Sequence, residues 1–228
     1  MIIKNDNLKT VALWKDNAPP MGGDKQWQDG RSAKELAKYM TSDYPNMPSE
    51  LEEILSNIID KNSILELNAE YVTNFSSHGF GRGEGRNHDG ALYNDEIFIG
   101  IEAKADEPLG NLISEELESA GDNKMLRINK LAELLFDDGI ENHKNLRYQL
   151  LTASAGVLLE AGDSKKALLA IIVFKKAGHY SNIKVQKNER DIYRFLIETN
   201  AMPRNGYWQI NTNCGKELLF CKIDIESD

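Results

Sequence analysis

Cysteine is scarce: 228 residues contain two, Cys214 and Cys221. A pair this close to the end of the chain supplies no disulfide framework. A disulfide-stapled fold is therefore excluded, and a reducing cytoplasm is the expected setting. Both cysteines are expected at buried or half-buried strand positions. Long apolar runs are also missing: no stretch reaches the ~18 residues that span a bilayer. Residues 1–14 carry lysines and lack the continuous apolar core of a signal peptide, so no membrane partner is expected. There is no internal repeat and no low-complexity tract. Positive charge is in the minority, with 27 Lys and Arg against 36 Asp and Glu, a net charge of −9. Such a chain is not coated in basic surface for nonspecific nucleic-acid binding, although a local basic groove stays open to it.

The length is enough for one sizeable core, and a hydrophobic fraction of 41% is that of a globular protein. Residues 1–228 read as a single domain, with an N-terminal extension (1–48), a core (49–176) and C-terminal additions (177–228). Residues 1–30 read as irregular, interrupted by Pro19, Pro20, Gly22, Gly23 and Gly30, with Trp14 and Trp27 over the outside of the core. Ser32 with Glu35, and Ser49 with Glu52, have capping-box spacing. Helices are expected behind them at 33–40 and from 51 to about residue 60. Residues 64–75 carry two signals. Glu66 and Glu70, four apart, suit a helix, whereas Tyr71, Val72 and Thr73 favour a strand; the later half reads as strand. The following loop has Gly79, Gly81, Gly83 and Gly85 at every second position, with Arg82 and Arg86. It matches neither the dinucleotide fingerprint nor a P-loop. It serves either as a plain hairpin connection or as a loop that meets a phosphate backbone through Arg82 and Arg86.

Further on, helices are expected at 114–119 and 125–136, the second burying Met125, Ile128, Leu131, Leu134 and Leu135. Another spans 146–161 with Leu150, Ala153, Val157 and Ala161 inward. The unbroken apolar run 167–174 marks a strand buried on both faces. A late helix (188–199) and a hairpin (207–212 with 218–225, around Asn213, Cys214 and Gly215) complete the chain. The sum is a mixed sheet with helices on both faces.

The chemistry gathers between residues 87 and 110. Residues 97–104 read as a strand, and side chains alternate faces along a strand. Ile97, Ile99, Ile101 and Ala103 then share the core face, and Phe98, Gly100, Glu102 and Lys104 the other. Asp89 opens a second strand-like run, with Ala91 and Tyr93 on its face. Two carboxylates and a lysine on neighbouring strands suit a hard divalent cation beside a phosphate. The acid-x-Lys triplet recurs at Asp122/Lys124 and Asp163/Lys165, in polar turn-like or helix-edge contexts that read as solvated charge. For Glu102 and Lys104 the plain alternative is a cross-strand salt bridge on an exposed sheet face.

Asp89 followed by Glu102-x-Lys104, in a helix–strand–strand–strand–helix–strand order, resembles the PD-(D/E)XK nuclease superfamily. The segments Gly-Arg-Ser-Ala-Lys-Glu-Leu-Ala (30–37), Glu-Ala-Lys-Ala-Asp-Glu-Pro-Leu-Gly (102–110) and Leu-Arg-Tyr-Gln-Leu-Leu (146–151) are similar to a bacterial branch of it. The resemblance implies an α/β, restriction-endonuclease-like mixed sheet flanked by helices, with an α-β-β-β-α-β core, N-terminal helices and a C-terminal hairpin. It implies phosphodiester hydrolysis dependent on Mg²⁺ or Mn²⁺. Asp89 and Glu102 would be metal ligands, and Lys104 would orient or activate water and counter charge on the scissile phosphate. His88 stands where the superfamily often has a proline. Many members add a glutamate from the first helix or strand; Glu70 is the choice, with Glu66 and Glu53 as rivals. Gln149 matches the helical glutamine that some members place near the metal. His88, Glu107, Lys175, Lys176 and His179 are further candidates, each with an ordinary structural use. The implied partner is nucleic acid, DNA more than RNA, and a homodimer is compatible. Two alternatives remain: a catalytically inactive nuclease-fold binding module, and an enzyme acting on a small nucleotide.

Overall fold

The computed structural model describes residues 1–20, 22–81, 85–176 and 180–226. In chain order the elements are β1 (Ile2–Lys4), α1 (Val11–Asn17), α2 (Ser32–Thr41), α3 (Ser49–Leu55), β2 (Ile64–Thr73), β3 (Arg86–Tyr93) and β4 (Ile97–Lys104). There follow α4 (Ile113–Glu118), α5 (Asp122–Leu135), α6 (Tyr148–Ala161), β5 (Lys166–Lys175), α7 (Asn182–Glu198), β6 (Met202–Pro203), β7 (Trp208–Asn211) and β8 (Glu217–Glu226). The strands form one eight-stranded mixed sheet in the order β1-β2-β3-β4-β5-β8-β7-β6. β2, β3 and β4 make an antiparallel meander, whereas β4, β5 and β8 run parallel. Parallel neighbours need a crossover connection, and α6 lies on the one between β4 and β5.

Each face of the sheet carries its own core. On one side α1, α2 and α3 pack against Ile97, Ile99, Ile101 and Ala103 of β4. On the other, α4 to α7 pack against Phe98 of β4 and Leu169, Ile171 and Val173 of β5. β4 therefore has a helix layer over both faces and is buried at every position. This removes the exposed-face salt bridge as an account of Glu102 and Lys104, which are 0% and 6% exposed. No helix among the described residues is long and apolar enough to cross a membrane.

Several expectations are corrected. Residues 1–30 are not wholly irregular: β1 adds in parallel to β2, and α1 starts where the Thr10 hydroxyl accepts from the Leu13 N–H at 3.2 Å. Trp14 is buried in the core, not laid over it. The whole of 64–73 is strand, because pairing with both β1 and β3 overrides the helical spacing of Glu66 and Glu70. Neither capping box forms: Arg31 and Pro48 are the N-caps, Glu35 accepts from the Gly30 N–H at 2.8 Å, and Glu52 pairs with the chain's amino terminus. α3 ends at Leu55, and α7 begins earlier than expected, at Asn182. Met125 is exposed, and α5 buries Ala132 instead, beside Ile128, Leu131 and Leu135. Cys221 is buried on β8, but Cys214 is exposed in the turn before it.

Candidate functional site

Regular pairing of β3 with β4 runs from Tyr93↔Phe98 to Gly90↔Ile101 and stops there. Beyond it a side chain takes over the backbone's role: Asp89 Oδ2 accepts from the Ala103 N–H at 2.7 Å. The Lys104 ammonium lies 3.9 Å from the same oxygen and donates to the Ala103 carbonyl at 3.0 Å. On β2, Glu70 has φ 51° while Ala69 and Tyr71 on either side stay paired with Gly90 and His88. A non-glycine residue in the left-handed region costs on the order of 1–3 kcal/mol and clusters at functional sites. Glu70, Asn87, Asp89, Lys104 and Glu107 line one cavity of about 460 Å³, walled on the far side by Lys25, Arg31 and Ser32. The Glu70 carboxylate accepts from the Asn87 side-chain amide at 2.5 Å. Glu107 ties the end of β4 to the start of α2, accepting from the Ala105 N–H at 2.8 Å and from the Ser32 hydroxyl at 3.4 Å.

Glu102 belongs to the opposite, α6 side of the sheet. One of its oxygens lies 3.2 Å from Arg86 Nε and 3.0 Å from His88 Nδ1. The other accepts from Gln149 Nε2 at 2.9 Å and from Arg86 Nη2. Gln149 is thus brought to the cluster through Glu102. His88 is seated by two glycines. A Cβ on Gly100 would come within 2.9 Å of His88 Nδ1, and one on Gly156 within 2.8 Å of Nε2.

The electrostatics separate the carboxylates. Burial pushes Glu102 upward, but Arg86, His88 and Lys104 together outweigh it and hold the group at about 2. Asp89 is raised, first by burial and then by repulsion from Glu102, against the pull of Lys104. Glu70 is raised by burial and by the charges of Asp89 and Glu102, with the Asn87 hydrogen bond opposing.

Among the described residues no group of three or more His, Cys, Asp or Glu side chains stands ready to hold a metal ion. The reason is visible at Glu102, whose oxygens are taken by Arg86, His88 and Gln149. The cavity side nevertheless fits a hard cation in its chemistry. Glu70 and Asp89 are oxygen donors, and the Asn87 Oδ1 atom is buried with no hydrogen-bond partner. Asn87 was missed as a site residue by sequence reasoning, and Arg86, read there as a loop residue for a phosphate backbone, opens β3 and pairs with Glu102. The signal for Asn87 was its place two residues before Asp89, hence on the same strand face.

The rivals of Glu70 do not join it: Glu66 pairs with Tyr93 and is exposed, and Glu53 is exposed on α3. Lys175 is engaged by Glu189 at 3.4 Å and Asp224 at 3.1 Å, and Lys176 follows the end of β5. Arg82 and His179 lie outside the described residues.

Fold and site together define a three-layer α/β protein with a buried carboxylate–lysine cluster at the centre of its sheet. Within that class the chain belongs to the family described as "Domain of unknown function (DUF6946)", which matches residues 7–227. No curated protein and no solved structure matches it.

Proposed function

We propose that the chain is a Mg²⁺-dependent nuclease of restriction-endonuclease-like fold, hydrolysing phosphodiester bonds in nucleic acid, DNA before RNA. The observation that carries this reading is the convergence of Glu70, Asp89 and Lys104, from three consecutive strands, on one cavity, with Glu102 paired behind them. The order α3-β2-β3-β4, followed by α4, α5 and α6 before β5, and the parallel β4–β5 pairing support the fold assignment.

A divalent ion, Mg²⁺ or Mn²⁺, would be held by Glu70, Asp89 and Asn87 Oδ1, while Glu102, expected as a ligand, stays engaged by Arg86, His88 and Gln149. Such an ion supplies charge neutralisation and a bound water of lowered pKa. The chain's own groups do the rest. Lys104 places an ammonium beside Asp89, where it counters charge on a scissile phosphate and orients the attacking water. Lys25 and Arg31 on the far wall meet the phosphates of the approaching strand. Unpaired cysteines go with a cytoplasmic setting.

A supercoiled-plasmid assay tests the reading. Nicking that requires Mg²⁺ or Mn²⁺, stops with EDTA and falls at least ~100-fold in Lys104→Met is expected, the scale on which a lost charge-stabilising group acts. Intact plasmid with either ion refutes it. The Arg86–Glu102 pair favours a second reading, a non-catalytic nuclease-fold binding module, because the guanidinium already supplies the charge a cation would bring. Calorimetric titration with Mn²⁺ decides between the two. Binding abolished by Asp89→Asn supports the enzyme; no Mn²⁺ binding, with nucleic acid still bound, supports the module.

A further inference from the structure

On the α5–α6 side of β3 a second cavity, of about 420 Å³, opens where α6 begins. Its lining brings Arg86, Lys124 and Arg127 together against one carboxylate, Glu116, in a chain of net charge −9. Lys124 pairs with Glu116 and holds its ammonium 5.9 Å over the ring of Tyr148. The first turn of α6, at Tyr148, Gln149 and Thr152, forms part of the wall. A helix of 14 residues presents the positive end of its dipole there. That end is fixed in place. Arg147 is bound to Asp191 of α7 at 2.6 Å and to the Gly110 carbonyl at 2.9 Å, and the Tyr148 N–H donates to the Asn111 carbonyl at 3.0 Å. Gly110, at φ 72°, passes close under Gln149, where a Cβ would meet the Gln149 Cβ at 3.4 Å.

Three cations, Arg86 from β3 and Lys124 and Arg127 from α5, gathered with the start of α6 around one concave space are the recognition chemistry of a phosphate group. Arg86 joins this cavity to the carboxylate cluster, since the same guanidinium bonds Glu102. We propose that the cavity is a phosphate subsite for the nucleic-acid strand, in which Arg86, Lys124, Arg127 and the start of α6 hold one phosphate of that strand. The identity of the ligand as a nucleic-acid strand rests on the nuclease reading, but anion capture here needs no hydrolysis.

The test is titration calorimetry of the full chain with a short single-stranded DNA oligonucleotide in EDTA, so that no divalent ion contributes. The wild type binds. Lys124→Gln/Arg127→Gln binds at least ~10-fold more weakly, and its log affinity against log salt flattens by about one to two charges' worth of slope. Inorganic phosphate competes with the oligonucleotide on the wild type. If the double variant melts early, Lys124→Gln alone, at a side chain 31% exposed, carries the test through the loss of about one charge of salt slope. An oligonucleotide that does not bind the wild type, or that binds wild type and variant alike, overturns the proposal. The two readings fail separately. Oligonucleotide held through Lys124 and Arg127 but never cut with Mg²⁺ removes the nuclease and keeps the subsite. Cutting indifferent to both residues does the reverse.

Discussion

The two sides of the sheet at Asp89 and Glu102 treat the same functional group in opposite ways. Glu102, toward α6, is fully buried and yet strongly acidic, because Arg86, His88 and Gln149 satisfy its oxygens. Asp89, toward α2, keeps 30% of its side chain exposed and is pushed up, by burial first and by the Glu102 charge, with the Lys104 ammonium opposing. Depth alone does not set a carboxyl group's pKa; the number of charged and hydrogen-bonding partners decides whether burial or pairing wins. The α6 side holds the fold together with a compensated ion pair. On the α2 side burial outweighs the neighbouring cations and leaves two carboxyl groups raised, a perturbation of the kind that gathers at functional sites.

The strongest way to break this comparison is Glu102→Gln. The amide keeps the shape but leaves the Arg86 charge buried without its counter-ion, and Arg86 is 15% exposed at its side chain. Removing one partner of a buried pair costs ~3–5 kcal/mol. Urea unfolding at neutral pH is expected to show a loss of that size; a loss under ~1 kcal/mol would mean the pair is not structural. The sign of the pH dependence follows. The folded group titrates at about 2, below the ordinary glutamate value, so its stabilisation is present above that ordinary value and disappears as pH falls toward 2. The wild type and Glu102→Gln should therefore converge in stability across that acid window.

A smaller effect comes from the seat of His88. Replacing a helical glycine by alanine ordinarily gains up to ~1 kcal/mol. At Gly156 the sign reverses, because the new Cβ would lie 2.8 Å from His88 Nε2 and the ring is fully buried. Gly156→Ala is expected to lose ~1–3 kcal/mol by overpacking, read as a lower urea midpoint. A gain would show that the ring moves freely, and that Glu102 is not held as tightly as the comparison requires.

Much of this arrangement could be read from the chain, and the unread part has a physical reason. The strand at Ile97–Lys104 was visible because isoleucine at every second position is a strong period-2 signal, and 167–174 because continuous apolar residues mark two-sided burial. Asp89, Glu102 and Lys104 were legible as candidates from spacing, and Gln149 from resemblance, but the alternation that put Lys104 on the Glu102 face does not hold, since Lys104 lines the Asp89 cavity. β1 was not, since a three-residue strand owes its existence to a partner 62 positions away, Ile2 against Ile64, and not to any local preference. The same holds for the split of the acids between two sides of the sheet. Alternation along β4 placed Glu102 correctly opposite Ile101, but the end of the β3 ladder at Gly90 has no sequence signature. The pairing of Arg86 with Glu102 is likewise a long-range fact, and it came from a residue read in the sequence as part of a glycine-rich loop and a candidate phosphate contact.

The finest test is Asp89→Asn, where function and stability should move in opposite directions. A carboxyl group whose folded pKa is raised favours the folded state while protonated, and that advantage is lost as pH climbs through the folded value. Once ionised, Asp89 is therefore a burden in its buried setting beside Glu102. The amide removes the charge, and its oxygen can still accept from the Ala103 N–H that Asp89 Oδ2 meets at 2.7 Å. A gain of ~1 kcal/mol at neutral pH is expected, on the scale of stabilising changes at strained functional sites, and it should vanish in acid where the wild-type group is itself protonated. Added Mn²⁺ should then reverse the ranking. An ion bound only by the folded wild type stabilises it by ~2.7 kcal/mol at a hundred times the dissociation constant, and Asp89→Asn should show no such rise. Thermal melts at two pH values, with and without Mn²⁺, read all of this. A variant less stable than wild type at neutral pH without metal would mean that Asp89 serves the fold as Glu102 does, and the contrast between the two sides of the sheet would be gone.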